Sequence, residues 1–253
     1  MRISSLGSGS KGNATLIENG DTCILIDLGF TLKETLRRLK RLDRTPEDID
    51  AILVTHEHAD HIHGVAPFAR KFSTPVYMTP GTYNPEKYGL MPVMKKVNCH
   101  RSFQVGSIGI EPVPVPHDAR EPCQYLLSSG GIKIGVLTDL GHVTPFVETQ
   151  YKTCDALMLE CNHDPKMLAD GPYPYPLKQR VGGPHGHLSN DQAAGLLQNI
   201  ELGRLQHLVI SHISEKNNHP DLANLALQPI LEHWSGNLHL ADQQDGFDWL
   251  EVR

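Results

Sequence analysis

The sequence predicts an α/β (α+β) protein in which two β-sheets pack face to face and helices cover their outer sides. Strand-like runs gather in both halves of the 253-residue chain, and helical patterns flank them. No low-complexity tract or repeat interrupts the chain. A chain of this length can bury roughly 70–75% of its unfolded surface. We therefore expect a single domain over residues 1–253.

The first half alternates short apolar runs with helical patterns. Gly and Asn separate the early runs, and leucines recur at helical spacing after Thr31, a potential N-cap. An irregular stretch around Pro80, Pro85 and Pro92 follows. The sequence predicts strands at 2–6, 14–17, 22–26, 51–54 and 75–78, and helices at 31–42 and 61–72.

The second half repeats this organisation. Residues 129–131 (Ser-Gly-Gly) predict a hairpin turn between two strands. Segments 171–176 and 182–186, rich in proline and glycine, predict a surface excursion near a site. The sequence predicts strands at 107–115, 124–128, 132–137, 156–160, 207–210, 238–240 and 247–252, and helices at 190–200 and 222–233.

Composition excludes several classes of protein. No apolar run approaches the ~18 residues of a membrane span, and the start lacks the apolar core of a signal peptide. The five cysteines form no Cys-x-x-Cys pair, which favours reduced thiols in a cytoplasmic protein over a disulfide framework. The net charge of −6, from 23 Lys+Arg and 29 Asp+Glu, argues against broad, sequence-independent DNA affinity.

The chemistry-bearing feature is a histidine cluster that directly follows an apolar strand. Residues 56–61 read His-Glu-His-Ala-Asp-His, which places four potential metal ligands within six residues. His56 and His58 lie two apart in an extended segment, so both can face one metal ion. Asp60 and His61, in the following turn, can reach a second ion beside it.

Further ligand-type residues follow later apolar strands. His117, Asp139 and His212 each lie at the carboxyl end of such a run, where open sheets place their sites. We expect His56, His58 and His117 to hold one ion. Asp60, His61 and His212 would hold the other, with Asp139 able to bridge. Imidazole and carboxylate without thiolate suit zinc or manganese, and two such ions can hold a shared hydroxide for in-line attack.

These residues, in this order and spacing, resemble the metallo-β-lactamase fold hydrolases over nearly the whole chain. The resemblance implies a four-layer αββα sandwich with a binuclear centre at one edge. Members of this superfamily hydrolyse lactams, thioesters, phosphodiesters and nucleic acids, so the fold does not choose the substrate.

Three further segments resemble the YycJ/WalJ subgroup and, more loosely, the RNase Z enzymes. Residues 6–15 form a small-residue loop that can be a phosphate-binding nest or a flexible turn. Residues 159–164 follow a strand and can orient ligands or form a solvated loop. In residues 186–190, the resemblance implies that His187 donates a proton to the leaving oxygen, although Ser189 or Asn190 could simply cap a helix. We expect substrate contacts from Ser8, Ser10, Asn13, Asn162, His163, Ser189 and Asn190.

The resemblance implies a cytoplasmic metal-dependent hydrolase of phosphodiesters, and most specifically a DNA 5′-exonuclease. Asp60 and His187 are the expected catalytic residues, and DNA ends are the expected partner. Alternatives are a phosphodiesterase acting on small cyclic or sugar phosphodiesters, an RNase Z-like ribonuclease, and a regulatory protein without turnover. A homodimer is compatible with the sequence. Cationic side chains that could line a groove are Lys11, Arg101, Arg120, Lys178, Arg180 and Lys216.

Overall fold

The computed structural model describes residues 1–253, and its secondary structure is mixed. The strands are β1 (Arg2–Gly7), β2 (Ala14–Asn19), β3 (Thr22–Ile26), β4 (Ala51–Leu53), β5 (Val76–Met78), β6 (Met94–Lys96), β7 (Phe103–Val105), β8 (Ile108–Pro114), β9 (Cys123–Ser129), β10 (Ile132–Leu137), β11 (Ala156–Glu160), β12 (His207–Ser211), β13 (Asn237–Leu240) and β14 (Phe247–Glu251). The helices are α1 (Leu32–Arg41), α2 (Ala59–Ile62), α3 (Val65–Phe72), α4 (Pro85–Tyr88), α5 (Pro145–Tyr151), α6 (Pro165–Asp170), α7 (Tyr175–Val181), α8 (Asn190–Leu197) and α9 (Pro220–Leu231), with a 3₁₀ turn at Pro46–Asp48.

The strands form two seven-stranded mixed sheets. The first has the order β14-β1-β2-β3-β4-β5-β6, and the second has the order β13-β12-β11-β10-β9-β8-β7. Strands β3 to β6 run parallel in the first sheet, and β10 to β13 run parallel in the second. Parallel strands end at a common edge, so the residues that follow them are brought together.

Three apolar layers hold the sheets and helices together. Ile24 of β3 and Val136 of β10 pack between the sheets, whereas Leu25 faces the layer beneath α1 and α3. The third layer joins the second sheet to α5, α8 and α9. Side chains alternate between the faces of a strand, so each sheet supplies two layers. The predicted four-layer arrangement of helix, sheet, sheet and helix is confirmed.

The predicted helix at 61–72 is wrong as a continuous element. The chain forms α2 and α3 with a break at Gly64, whose backbone N–H donates to Leu28 O over 2.8 Å. A Cβ at Gly64 would lie 2.1 Å from Phe30 O, so this close approach requires glycine. The break brings residues 56–61 against the turn that follows β3.

Several elements were missed in the irregular regions. Strands β6 and β7 are three residues each, too short to show an alternating pattern. Helices α4, α5 and α6 all begin with proline at their first position. Proline is well accommodated there, because the missing N–H would have no partner within the helix.

Two negative expectations can be compared with the structure. All five cysteines are free and buried. None of the helices has the length and apolar character needed to cross a bilayer.

Candidate active site

Three histidines from two loops form the first group of ligand-type side chains, which we call the histidine triad: His56, His58 and His117. Their candidate ligand atoms lie within 4.8 Å of one another. His56 follows β4, and His58 occupies the N-cap position of α2. His117 follows β8 across the inter-sheet edge. The structure brings together the three histidines that the sequence analysis grouped.

Asp60, His61 and His212 form a second group, which we call the carboxylate-backed triad. One Asp60 carboxylate oxygen, Oδ2, lies 3.4 Å from Nε2 of His61 and 3.4 Å from Nε2 of His212. Both histidines are buried, and Asp60 is half-buried. The three ligand atoms again lie within 4.8 Å of one another.

Asp139 lies between the two triads. Its Oδ2 is 3.0 Å from His61 Nε2, and its Oδ1 is 3.6 Å from His212 Nε2. Asp139 also forms a ligand-atom group with His56 and His61. Such a carboxylate can contact ions at both triads, as the sequence predicts for Asp139.

Backbone strain directs three of the side chains at this edge. Asp27, Asp139 and His212 have φ angles of 59°, 50° and 52°, in the left-handed region that non-glycine residues rarely occupy. Each comes within two residues of the end of a parallel strand, β3, β10 or β12. The unusual turns let the chain leave the sheet while each side chain is held at the site.

Buried groups behind the ligands fix the orientation of each imidazole in the carboxylate-backed triad. His61 Nδ1 donates to Asp27 Oδ2 over 2.8 Å, and His212 Nδ1 donates to Glu160 Oε1 over 3.1 Å. Asp27 itself accepts from the backbone N–H of Thr55 over 2.8 Å. In each case Nε2 is left to face the centre, an arrangement typical of metal-binding histidines.

The histidine triad has neutral partners instead. His56 Nδ1 donates to Thr55 Oγ1 over 2.9 Å, and His117 Nδ1 donates to the Gly186 carbonyl over 2.9 Å. His58 Nδ1 lies 3.2 Å from His117 Nε2. His56 Nε2 is buried and has no hydrogen-bond partner within the protein.

The donor set fits divalent metal ions. An orphaned, buried imidazole nitrogen on His56 would be costly without a ligand. Burial raises the pKa of Glu160, but His187 and His212 outweigh this effect and hold that pKa at about 2. Burial also raises the pKa of Asp139, and His212 and His61 outweigh it, so this pKa lies well below its usual range. The carboxylates are therefore ionised and ready to balance a cation.

His187 stands beside this centre and pairs with Glu160. Its Nδ1 donates to Glu160 Oε1 over 2.7 Å, and its ring stacks on His212 with 5.3 Å between centroids. Burial lowers the pKa of His187, but Glu160 and Asp139 outweigh it, so the pKa is raised above its ordinary value. Nδ1 is engaged, so Nε2 is the nitrogen free to exchange a proton.

A cavity of about 330 Å³ opens over these groups. The cavity is lined in part by the charged and imidazole groups Asp60, Asp139, His187 and His212. Residues of the 173–186 region line another part of it. The lining residues are Ser10, His58, Ala59, Asp60, Asp118, Asp139, Asn162, Tyr173, Leu177, Arg180, Val181, Gly186, His187, His212, Ser214 and Asn217.

The seven residues predicted to contact substrate divide into two sets. Ser10 and Asn162 line the cavity, and Asn162 Nδ2 also donates to the His212 carbonyl over 3.1 Å. The other five lie off the cavity surface. Ser8 Oγ accepts from the backbone N–H of His212 over 3.0 Å, and Asn13 Nδ2 donates to Asp60 Oδ2 over 3.3 Å.

The remaining three are engaged around the start of α8. Ser189 is the N-cap, and its hydroxyl accepts from the backbone N–H of Gln192 over 3.2 Å. Asn190 is buried and exchanges hydrogen bonds with Asn218 at 2.8 and 3.0 Å. The carbonyl of His163 accepts from the backbone N–H of Asn190 over 2.9 Å. Ser189 therefore caps α8, and this cap does not involve the side chain of His187.

Asp27 was not singled out from the sequence, and Glu160 was included only as part of residues 159–164, the segment expected to orient ligands. Asp27 directly follows β3 and Glu160 ends β11. The rule that selected Asp139, a carboxylate at the end of an apolar strand, applies equally to both. Their partners could not be read, because the contacts join elements 34 and 27 residues apart, His61 to Asp27 and His187 to Glu160.

Comparison with known proteins places this architecture in a family. Residues 22–213 match the beta-lactamase superfamily domain. The chain belongs to the beta-lactamase superfamily. Exodeoxyribonuclease YycJ of Bacillus anthracis is 34% identical over 238 residues, which cover 92% of this chain and 89% of the relative. Exodeoxyribonuclease WalJ of Streptococcus pneumoniae is 34% identical over 233 residues, or 90% and 87% of the two chains.

A solved structure of another protein has the same fold as this chain. The metallo-beta-lactamase fold protein YhfI from Bacillus subtilis superposes with a TM-score of 0.75, at 17% identity over 98% of both chains. The predicted family resemblance, fold class and hydrolase class are confirmed.

Proposed function

We propose that this protein is a metal-dependent nuclease that removes nucleotides from DNA ends, with 5′-exonuclease polarity. The observation that carries the proposal is the meeting of both triads at Asp139, directly beside the paired His187 and Glu160. The names of YycJ and WalJ, both exodeoxyribonucleases, support DNA as the substrate class. The free cysteines are consistent with action in the cytoplasm.

The metals proposed are two divalent ions, zinc or manganese. The histidine triad would hold one, the carboxylate-backed triad would hold the other, and Asp139 would contact both. When bound, such a pair supplies Lewis-acid stabilisation of the phosphoryl group and activation of the attacking water. Imidazole and carboxylate ligands without thiolate suit both metals.

Residues of the chain itself position the substrate and protonate its departing oxygen. Glu160 holds His187 by Nδ1, which leaves Nε2 to protonate the departing oxygen. Asp60, half-buried at the cavity, acts both as a ligand and in orienting the attacking water. Ser10 and Asn162 would contact substrate directly. Ser8, Asn13, His163, Ser189 and Asn190 would act by holding ligands and His187 in place.

A strand-labelling experiment tests this function. The purified protein is loaded with manganese or with zinc and incubated with 5′- and 3′-labelled single- and double-stranded DNA and RNA. Stepwise loss of the 5′ label from DNA, absent in Asp139→Ala, is the expected result. Loss of the 3′ label first would reverse the polarity, and preferential cleavage of RNA would favour an RNase Z-like activity.

A second candidate is a phosphodiesterase acting on small phosphodiesters. It is favoured by the size of the cavity, about 330 Å³, near the lower end of the ~300–1,000 Å³ range of small-ligand sites. Intact DNA and RNA alongside rapid cleavage of a cyclic nucleotide or a simple aryl ester would establish this candidate and reject the nuclease.

A further inference from the structure

One wall of the cavity is built by a single surface segment, residues 171–186, which we call the wall segment. It contains α7 and contributes five of the sixteen lining residues: Tyr173, Leu177, Arg180, Val181 and Gly186. The ligand motifs lie elsewhere in the chain. The composition of this wall, one aromatic and one cationic side chain among aliphatic ones, therefore needs a separate explanation.

Backbone hydrogen bonds fix the wall segment to the catalytic groups. The Gly186 carbonyl accepts from His117 Nδ1 over 2.9 Å, and the Val181 carbonyl accepts from the backbone N–H of His187 over 2.8 Å. A Cβ at Gly186 would lie 2.1 Å from Val181 O and 2.2 Å from Arg180 O. The segment thus folds back tightly on itself and is placed rigidly relative to the histidine triad and His187.

Arg180 is the sole Lys or Arg side chain among the residues that line the cavity. It forms an ion pair with Asp118, and its side chain is 60% exposed. An ion pair with an exposed partner contributes little to stability, so an anionic ligand can compete with Asp118 for Arg180. Three carboxylates, Asp60, Asp118 and Asp139, share the lining, so Arg180 is the one fixed cation there for an incoming phosphate.

Tyr173 supplies the other recognisable feature of the wall. It is half-buried, and it lines the cavity together with Leu177 and Val181. A nucleobase stacks readily on an aromatic ring next to aliphatic side chains, whatever its identity. A cavity of about 330 Å³ falls within the size range of sites that hold one small ligand, such as a single nucleotide.

We propose that the wall segment is the subsite for the terminal nucleotide of a DNA end, with Arg180 binding a phosphate and Tyr173 stacking on the base. This inference rests on the proposed nuclease function and specifies which residues hold the end of its substrate. It also selects Arg180 among the six cationic residues that the sequence left open.

The test compares variants within the wall segment. Lys178 and Tyr175 are matched controls, because Lys178 Nζ donates to the Ala169 carbonyl, Tyr175 is 71% exposed, and neither lines the cavity. The manganese-loaded full chain is assayed on a single-stranded DNA end and on methyl p-nitrophenyl phosphate, which has no base and no neighbouring phosphate. Thermal midpoints verify that every variant is folded.

In Arg180→Ala, we expect the ratio of kcat/KM for DNA to kcat/KM for the small ester to fall tenfold or more, mainly through KM. The slope of log(1/KM) against log salt should lose about 0.7, the contribution of one phosphate contact to a single strand. Tyr173→Ala should raise KM for DNA about 5- to 150-fold, as for one lost base stack. Lys178→Ala and Tyr175→Ala should match wild type.

The outcomes separate this inference from the function on which it rests. Wild-type protein that cleaves the small ester but no DNA would reject the nuclease function itself. If wild type degrades DNA and Arg180→Ala has the same KM and salt slope, the subsite is wrong and the function stands. Equal losses in Arg180→Ala and Lys178→Ala would show a diffuse charge effect and would also overturn the subsite.

Discussion

The two triads that meet at Asp139 differ in the groups that accept hydrogen bonds from their histidines. His61 and His212 of the carboxylate-backed triad donate to the buried carboxylates of Asp27 and Glu160. His56 and His117 of the histidine triad donate to a hydroxyl and a backbone carbonyl. Hydrogen bonds to charged acceptors are roughly twice as strong as neutral ones and make an imidazole a better donor to a metal.

This difference in charge predicts that the two triads differ in their affinity for metal. Asp60 and Glu160 both lie on the side of the carboxylate-backed triad, and Glu160 also holds His187. We expect that triad to bind its ion more tightly. The histidine triad, with weaker support behind it and half-buried His58 beside the cavity, should release its ion first on chelation.

The largest effect is expected from Asp139, the residue that the two triads share. Asp139→Ala removes the carboxylate within reach of His56, His61 and His212, so both positions lose a ligand at once. Nuclease activity should fall to background, and metal content, measured by plasma mass spectrometry, should fall with it. Full activity with unchanged metal content would show that Asp139 does not join the triads.

Removing His187 should separate chemistry from metal binding. His187→Ala leaves every residue of both triads in place, so metal content should be unchanged while kcat falls by roughly 10²–10⁴, the usual contribution of acid catalysis. His142→Ala is a matched control, because His142 donates to the Pro184 carbonyl of the wall segment and does not line the cavity. An unchanged kcat in His187→Ala would exclude it as the acid.

Replacing Asp27 tests the proposed difference between the triads directly. Asp27→Asn keeps the shape of the side chain and removes the charge behind His61, so metal affinity should weaken about 10- to 100-fold at the position of His61. The effect at the histidine triad should be smaller, because Asp27 reaches His56 only through the Thr55 hydroxyl. Metal titration by calorimetry would show this change. Asp50→Asn is the control, since Asp50 accepts from the backbone N–H of Cys23 at the far end of β3. Equal weakening of both ions would mean that the triads do not differ in this way.

The sequence indicates the members of the two triads more clearly than it indicates the carboxylates that accept hydrogen bonds from them, and the reason is physical. His56, His58, Asp60 and His61 lie close together because they are near neighbours in the sequence, at the end of one strand and in the turn that follows it. Asp27 and Glu160 act through contacts with residues far along the chain, which depend on sheet order. The sheet order itself follows from the packing of two whole sheets, and no local pattern encodes it.

Prolines also led to an error in the predicted secondary structure. The sequence predicts an irregular stretch around Pro85, yet α4 begins at this proline behind the N-cap Asn84, whose side chain accepts the backbone N–H of Lys87. A side chain of this type followed by proline is a helix-start signal. Gly64 shows the opposite error, since a glycine inside a helical pattern marked a close approach to Phe30.

The smallest effect is expected at Ser189, two residues after His187. Its hydroxyl accepts from the backbone N–H of Gln192, and the Gln192 side chain accepts from the backbone N–H of Ser189, which together form a capping box. Ser189→Ala should cost about 0.5–2 kcal/mol of stability, so the thermal midpoint should drop by about 2–4 °C per kcal/mol. Because Ser189 does not line the cavity, KM for DNA should be unchanged. An unchanged midpoint with a raised KM would instead restore the substrate contact that the sequence predicts for Ser189. Ser189→Asp should recover the midpoint, since aspartate caps a helix as well as serine does.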